Sequence, residues 1–264
     1  MCRLLKVSRS LVYYKPTPHK PDAELENAII EEFKENREVY GCRKLKRALK
    51  RRKKPLIAGT KRIRKIMNKY GLVSKYTKRR AKYKKRAVNE ENKPNIVARS
   101  FNNRKPLEVV ASDLTYVKVG GQYHYICLLL DMAGRDIIGY AAGRKHDAKL
   151  VRKALYRADV DLRNVEIFHT DRGTEFKNEI IDDILHAFGM KRSLSAKGSP
   201  HDNAVMESMY NILKTEMIFE STLDSLEDLE LELFSFVNWY NNIRLHGSLG
   251  YLTPREYKDK FYNL

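Results

Sequence analysis

The sequence predicts an α/β domain from Leu107 onward, preceded by a small, strongly basic all-α module. Three observations carry this. The 264-residue chain holds 31 Lys/Arg and 9 Asp/Glu in residues 1–100, but 21 and 24 in residues 101–264. Before Gly71, apolar residues recur at helical spacing in three short segments separated by glycine and proline. After Leu107 come three Val- and Ile-rich stretches joined by tight turns, then strands and helices in alternation, the pattern of an α/β domain.

The charge bounds the function classes. Between Glu38 and Glu90 there is no acidic residue and there are 22 Lys/Arg. A solvated face mixes both signs, so this run implies a polyanionic partner. Nucleic acid fits it better than an anionic membrane, because the basic helices lack exposed Trp/Phe/Leu faces. The longest apolar run, Tyr125–Leu130, is of strand size, far short of a bilayer span. The N-terminus, MCRLLKVSRS, is too polar for a signal peptide. Cys2, Cys42 and Cys127 are scattered and odd in number, which implies a reduced, cytoplasmic protein without structural zinc.

Residues 1–21 read as an irregular arm, since Pro16, Pro18 and Pro21 forbid a continuous helix. A first helix is expected over 22–38, capped by Asp22, with Leu25, Ile29 and Phe33 inward. The second, CRKLKRALKRR, buries Leu45, Ala48 and Leu49. The third, KRIRKIMNKY, buries Ile63, Ile66 and Met67 and ends at Gly71. Three such helices suit a helix-turn-helix-like module or a bundle that touches only phosphates. The outward basic residues Arg43, Lys44, Arg47, Lys61, Arg62 and Lys65 are candidate DNA contacts, as are Arg79 and Arg80 in the basic segment that follows.

LEVVASDLTYVKV is the expected first strand, with Gly120-Gly121 as its hairpin turn, then QYHYICLLLDM and DIIGYAAGR. A helix over 147–160, a strand over 165–171, a helix over 174–188 and a short strand over 191–194 follow. GSPHDNAVMESMYNILKTE (198–216) opens another helix, capped by Asp202 or Asn203. Met206, Tyr210, Leu213 and Met217 form its buried stripe, and Asn203, Glu207 and Lys214 form a polar row beside it. A last helix starts at Ser225, where Ser225 and Asp228 fit a capping box.

Three carboxylates stand out. Asp113 lies inside an apolar strand, where an unpaired charge is costly. Asp171 ends a strand, where α/β sheets gather ligands. Glu207 sits at the margin of its helix's buried stripe. If the strands of Asp113 and Asp171 are neighbours, two carboxylates meet, and a divalent cation would relieve their repulsion. Oxygen-only ligands suit Mg²⁺ or Mn²⁺, and two ions would serve in-line displacement at a phosphodiester. His169 reads as a packed strand histidine, Asp131 and Asp136 as turn caps, and Trp239 as core. Arg244 and His246 either face DNA or brace the last helix.

The spacing adds to this: 57 residues intervene between Asp113 and Asp171, and 35 between Asp171 and Glu207. SDLTYV, HTDRGTEF, GSPHDNAVMESMYNILKTE and YNNIRLHGSLGYLTP resemble the catalytic (OrfB-type) transposases of the insertion-sequence-three family, relatives of retroviral integrases. YGCRKLKRALK and AGTKRIRKIMNKYGL are similar to that family's helical DNA-binding segment. The resemblance implies a ribonuclease-H-like core, a mixed five-stranded sheet with flanking helices, behind a small all-α helix-turn-helix-like domain. It implies an arm at 1–21, the helical domain at 22–73, a basic linker at 74–106, the DDE core at 107–221, and a C-terminal helix and tail at 222–264. Asp113, Asp171 and Glu207 match the DDE triad, which would bind two Mg²⁺. Lys214 matches a basic position at element-end DNA, with Asn203 and Arg244 as further candidate contacts. The implied activity is DNA strand cleavage and transfer in transposition, in bacterial cytoplasm on the nucleoid. The implied partners are double-stranded DNA, further copies of the chain and an upstream-frame product. The competing expectation is a DNA-binding regulator of transposition whose catalytic domain is idle.

Overall fold

The computed structural model describes residues 2, 4–8, 12–14, 22–78, 104–195, 204–219 and 221–262. The first three helices are α1 (Ala23–Glu35), α2 (Cys42–Arg51) and α3 (Thr60–Lys69). Asp22 caps α1 by accepting the Leu25 N–H at 3.2 Å. The helix is shorter than the 22–38 expected: Arg37 and Glu38 take positive φ, while Arg37 reaches Glu232 at 2.5 Å. Gly71, at φ +63°, closes the helix before it, as the sequence suggests.

Five strands follow: β1 (Val109–Val119), β2 (Gln122–Asp131), β3 (Ile137–Gly143), β4 (Ile167–Thr170) and β5 (Lys191–Leu194). They form one mixed sheet in the order β3-β2-β1-β4-β5, with the hairpin-linked β1, β2 and β3 antiparallel and β4 and β5 running parallel to β1. Gly120 and Gly121, both at positive φ, make the β1–β2 turn, and a Cβ on Gly120 would lie 2.5 Å from the Asp224 carbonyl oxygen.

One face of the sheet is covered by α4 (Ala148–Tyr156) and α5 (Glu179–Ala187), with Val110, Cys127, Leu129 and Phe168 beneath them. Both helices are shorter than the 147–160 and 174–188 expected. Residues 174–178 form turns that bury Phe176, and Asn178 caps α5 by accepting the Ile180 N–H at 3.0 Å. The other face carries α6 (Ala204–Leu213), a π-helical turn over Lys214–Ile218, and α7 (Leu226–Asn242), whose Ser225–Asp228 capping box forms as expected. A final helix, α8 (Pro254–Tyr262), occupies what the sequence suggested was a tail. The three-helix module packs on this same face, so Leu45, Leu49 and Ile63 share a continuous core with Val109, Leu128, Tyr210 and Phe236. Of the linker expected at 74–106, Lys75–Thr77 form a 3₁₀ turn, while residues 79–103, with Arg79 and Arg80, lie outside the described residues, as do Asp202, Asn203 and much of the arm. Among the described residues no helix is long and apolar enough to cross a membrane.

Candidate active site

The site grows out of the parallel pairing of β1 with β4. Its last matched pair is Ser112 with Thr170, so Asp113 and Asp171 are the next residues of two adjacent strands. There β4 stops. Asp171 turns the chain away by accepting the Gly173 N–H at 2.9 Å, and Arg172 Nε donates to the Ser195 carbonyl oxygen at 2.9 Å. Asp113 accepts the N–H of Leu114 at 2.8 Å. Both residues are partly exposed where β4 ends beside the middle of β1, and α/β folds collect ligands at such strand ends.

Helix α6 is fastened over this point by one side chain. The buried Tyr210 hydroxyl donates to the Asp113 carbonyl oxygen and accepts the Leu128 N–H at 3.3 Å. Burial pushes the phenol's pKa well above the ordinary range, and Asp113, Cys127 and Asp171 add to the effect. Glu207 precedes Tyr210 by three residues, on the same side of the helix and one turn nearer its start. Lys214 opens the π-helical turn at the other end. Its Nζ lies 5.2 Å from the centroid of the Tyr116 ring, and its pKa is lowered by burial while Asp113 opposes the shift.

A further acid, which sequence reasoning passed over, belongs to this neighbourhood. Glu175 is buried, stands 3.3 Å from His146, and has its pKa raised by burial, with Asp171 adding to the rise. Its carboxylate packs so closely on Gly173 that a Cβ there would collide with it. The signal was present in HTDRGTEF, where an acid follows the strand-end Asp171 by four residues. His169 is a packed strand histidine, with Nδ1 3.0 Å from Ser193 Oγ and Nε2 3.2 Å from Ser195 Oγ.

Asp113 and Asp171 thus follow the last matched pair of two adjacent strands, and Glu207 lies on the covering helix. Among the described residues no three His, Cys, Asp or Glu side chains are gathered tightly enough to hold an ion. Asp113, within β1, and Asp171, just past β4, offer carboxylate oxygens, a donor chemistry that fits a hard divalent cation.

The basic candidates divide. Arg43, Arg47, Lys61 and Lys65 are exposed on α2 and α3. Arg62 pairs with Asp22 at 3.1 Å. Lys44 turns inward, 5.1 Å from the Tyr40 ring centroid, and burial together with Arg244 brings its pKa down to about 8. Arg244 corrects an expectation. It is 5% exposed and forms a two-pronged pair with Glu216, at 2.7 and 2.6 Å, so it braces the interior and does not face DNA.

Residues 103–200 and 188–254 match the integrase core domain family, and residues 20–80 match an HTH-like domain. The transposase for insertion sequence element IS904 of Lactococcus lactis is 28% identical over 251 residues, covering 94% of this chain and 98% of its own. The protein assigned as transposase of IS986/IS6110 in Mycobacterium tuberculosis is 30% identical, covering 91% of this chain and 89% of its own. The transposase InsF for IS3A of Escherichia coli is 27% identical, covering 98% and 93%. With the strand-end acids, the mixed sheet and the basic helices in place, these similarities mean that the chain belongs to the insertion-sequence-three type of transposases, built on an integrase core.

Proposed function

We propose that this chain cuts a DNA strand at the end of an insertion sequence and joins it to another, as a DDE polynucleotidyl transferase. The observation that carries this is the pairing of Asp113 and Asp171 at neighbouring strand positions, beneath a helix that bears Glu207 and is tied by Tyr210 to the Asp113 backbone. Asp113, Asp171 and Glu207 would hold Mg²⁺ or Mn²⁺, two ions per site, and the chemistry such a pair supplies is charge stabilisation at the attacked phosphate. The chain's own part is positional. The pairing of β1 with β4 fixes the two aspartates, Tyr210 fixes the height of α6, and Lys214 offers a cation to a phosphate beside Asp113. Arg43, Arg47, Lys61 and Lys65 would hold the duplex backbone, with Arg79, Arg80 and Asn203 as further contacts. The partners are element-end and target DNA, further copies of the chain, and an upstream-frame product, on the bacterial nucleoid. The domain boundaries expected from the sequence belong to this proposal.

The test is strand transfer of end-containing oligonucleotides with Mg²⁺ or Mn²⁺. Asp113→Asn, Asp171→Asn and Glu207→Gln should each lose about a thousandfold or more, corresponding to several kcal/mol of charge stabilisation. DNA affinity should change little. Near wild-type transfer in all three variants would overturn the assignment. A wild-type chain that binds DNA but stays inert, even with the upstream-frame product, would make it a regulator.

A further inference from the structure

Strand alternation puts Leu114, Tyr116 and Lys118 on one face of β1. Leu114 packs against the core under α4 and α5, but Tyr116 lies past the end of that cover and is 51% exposed. A large aromatic left open in the middle of a strand is unusual where the neighbouring positions, Thr115 and Val117, are buried. Its surroundings are built, too. Tyr123, itself 61% exposed, meets it edge-on at 5.5 Å between ring centroids, at an interplanar angle of 86°. Lys214 reaches it from α6, its Nζ 5.2 Å from the ring centroid, and Lys118 is exposed two residues further on. Lys214 also lies within the field of Asp113. Three residues beyond Asp113, along the stretch of β1 that β4 no longer accompanies, an oriented aromatic ring therefore sits beside a cation.

Aromatic surface flanked by ammonium groups has the chemistry of a nucleotide site. A ring stacks on any base, and the cation takes the adjoining phosphate. An apolar protein partner would not call for two lysines, whereas Lys214 links the Tyr116 ring to the field of Asp113. We propose that Tyr116 is a stacking platform for one unpaired nucleobase next to the phosphate that is cut or joined, with Lys214 neutralising the phosphate of that nucleotide. The proposal rests on the strand-processing function above. Stacking requires that the base leave its pair, so the duplex is opened by at least one pair at the site. Tyr123 holds the Tyr116 ring in orientation, which makes Tyr116 a binding residue and Tyr123 a positioning one.

The experiment uses the full chain and end-containing duplexes in which 2-aminopurine, whose fluorescence falls on stacking, is moved base by base along the processed strand. One position should be quenched by the wild type and by Tyr116→Phe, and not by Tyr116→Leu. Strand transfer by Tyr116→Leu should fall on the order of tenfold. A mismatch at the quenched position, which removes the cost of unpairing, should tighten binding by the wild type more than by the Leu variant. Residue 116 is exposed, so both variants should keep the wild-type unfolding temperature. A wild type that transfers strands yet quenches at no position, or a Leu variant that quenches and transfers like the wild type, overturns the platform alone. A Leu variant that alters only the number of copies assembled on DNA, with quenching intact, assigns the patch to a second copy and also overturns it. A wild type inert on every duplex removes the strand-processing reading, and the platform with it.

Discussion

At the scale of single residues, the acids are sorted by what surrounds them. Asp113 and Asp171 are partly exposed where β4 stops beside β1, whereas Asp131, at the end of β2, is 1% exposed. Its Oδ1 accepts the N–H groups of Leu107 and Ala133, at 3.3 and 3.2 Å, but its Oδ2 is buried and accepts no hydrogen bond from the described residues. The expected turn cap is real, yet half of the carboxylate is left in a dry site. Burial, with Asp136 adding, raises its pKa to about 7 from an ordinary 3.8. A carboxyl raised on folding contributes stability below its unfolded pKa, and that contribution is lost as pH rises through the folded value. Between pH 5 and pH 8 the Asp131 contribution should therefore fall by about 2–3 kcal/mol, at about 1.4 kcal/mol per pKa unit. Asp131→Asn keeps the acceptor and removes the charge. Urea unfolding at the two pH values should show the variant gaining on the wild type by that amount at pH 8. Parallel pH dependence of the two proteins would contradict the assignment.

At the scale of elements, α6 matters most, because it carries Glu207 and Lys214 and touches Asp113 through one hydroxyl. Tyr210→Phe leaves the ring in its buried place and removes the hydroxyl's hydrogen bonds to the Asp113 carbonyl, the Leu128 N–H and, at 3.5 Å, the Ile126 carbonyl. Leaving such buried groups unpaired should cost about 1–3 kcal/mol of stability. Strand transfer should fall further than DNA affinity, because the helix loses its register against the first acid while the basic surface of α2 and α3 is untouched. Equal falls in both would mean that Tyr210 only supports the fold. Element by element, the sequence was legible where period and capping agree: the three N-terminal helices, the meander, and the Ser225 box all stand where their patterns put them. The end of β4 at Asp171 was readable from the turn residues after it, but that its strand lies beside the strand of Asp113 was only a condition, which the pairing of β1 with β4 fulfils. Glu175 was hidden because RGTEF looks like the first turn of a helix, although its Phe176 is tucked under the sheet. The π-helical turn at Lys214–Ile218 was hidden because the apolar steps to Met217 pass through it unbroken. Helix α8 was missed because PREYKDKFY is mostly polar.

At the scale of the whole molecule, the surprise is that the DNA-binding module and the α/β domain are one packed body. Charge in a sequence does not reveal its partner, and Arg244 stayed open between DNA contact and brace because Glu216, 28 positions earlier, could not be seen to face it. Glu216 is fully buried on the π-helical turn that continues α6. It receives Arg244 Nε and Nη2, and the hydroxyl of Tyr76 from the 3₁₀ turn that follows the three-helix module. Burial works against the charge of Arg244, and the hydrogen bonds and field of Glu216 overcome it, raising its pKa. Tyr40 of the helical module accepts the Leu245 N–H at 2.8 Å, and the buried His246, held neutral with its pKa down at about 2 by burial, Arg244 and Lys44, lines the same seam. The cluster therefore joins the module, the last turn of α6 and the chain after α7. Removing one partner of a buried ion pair leaves an uncompensated charge and costs about 3–5 kcal/mol, whereas replacing both by apolar groups is often neutral. Glu216→Leu or Arg244→Met should therefore lower stability by that amount, and calorimetry should show one transition for the wild type and two for each variant, as the module parts from the α/β domain. Glu216→Leu with Arg244→Met should recover most of the loss, giving a favourable coupling energy in the double-mutant cycle. Strand transfer should follow the seam and not the charge: impaired in each single variant, largely restored in the double one. Single variants that unfold in one unshifted transition would mean that the two parts are held together by the shared apolar core alone, with the buried pair a passenger.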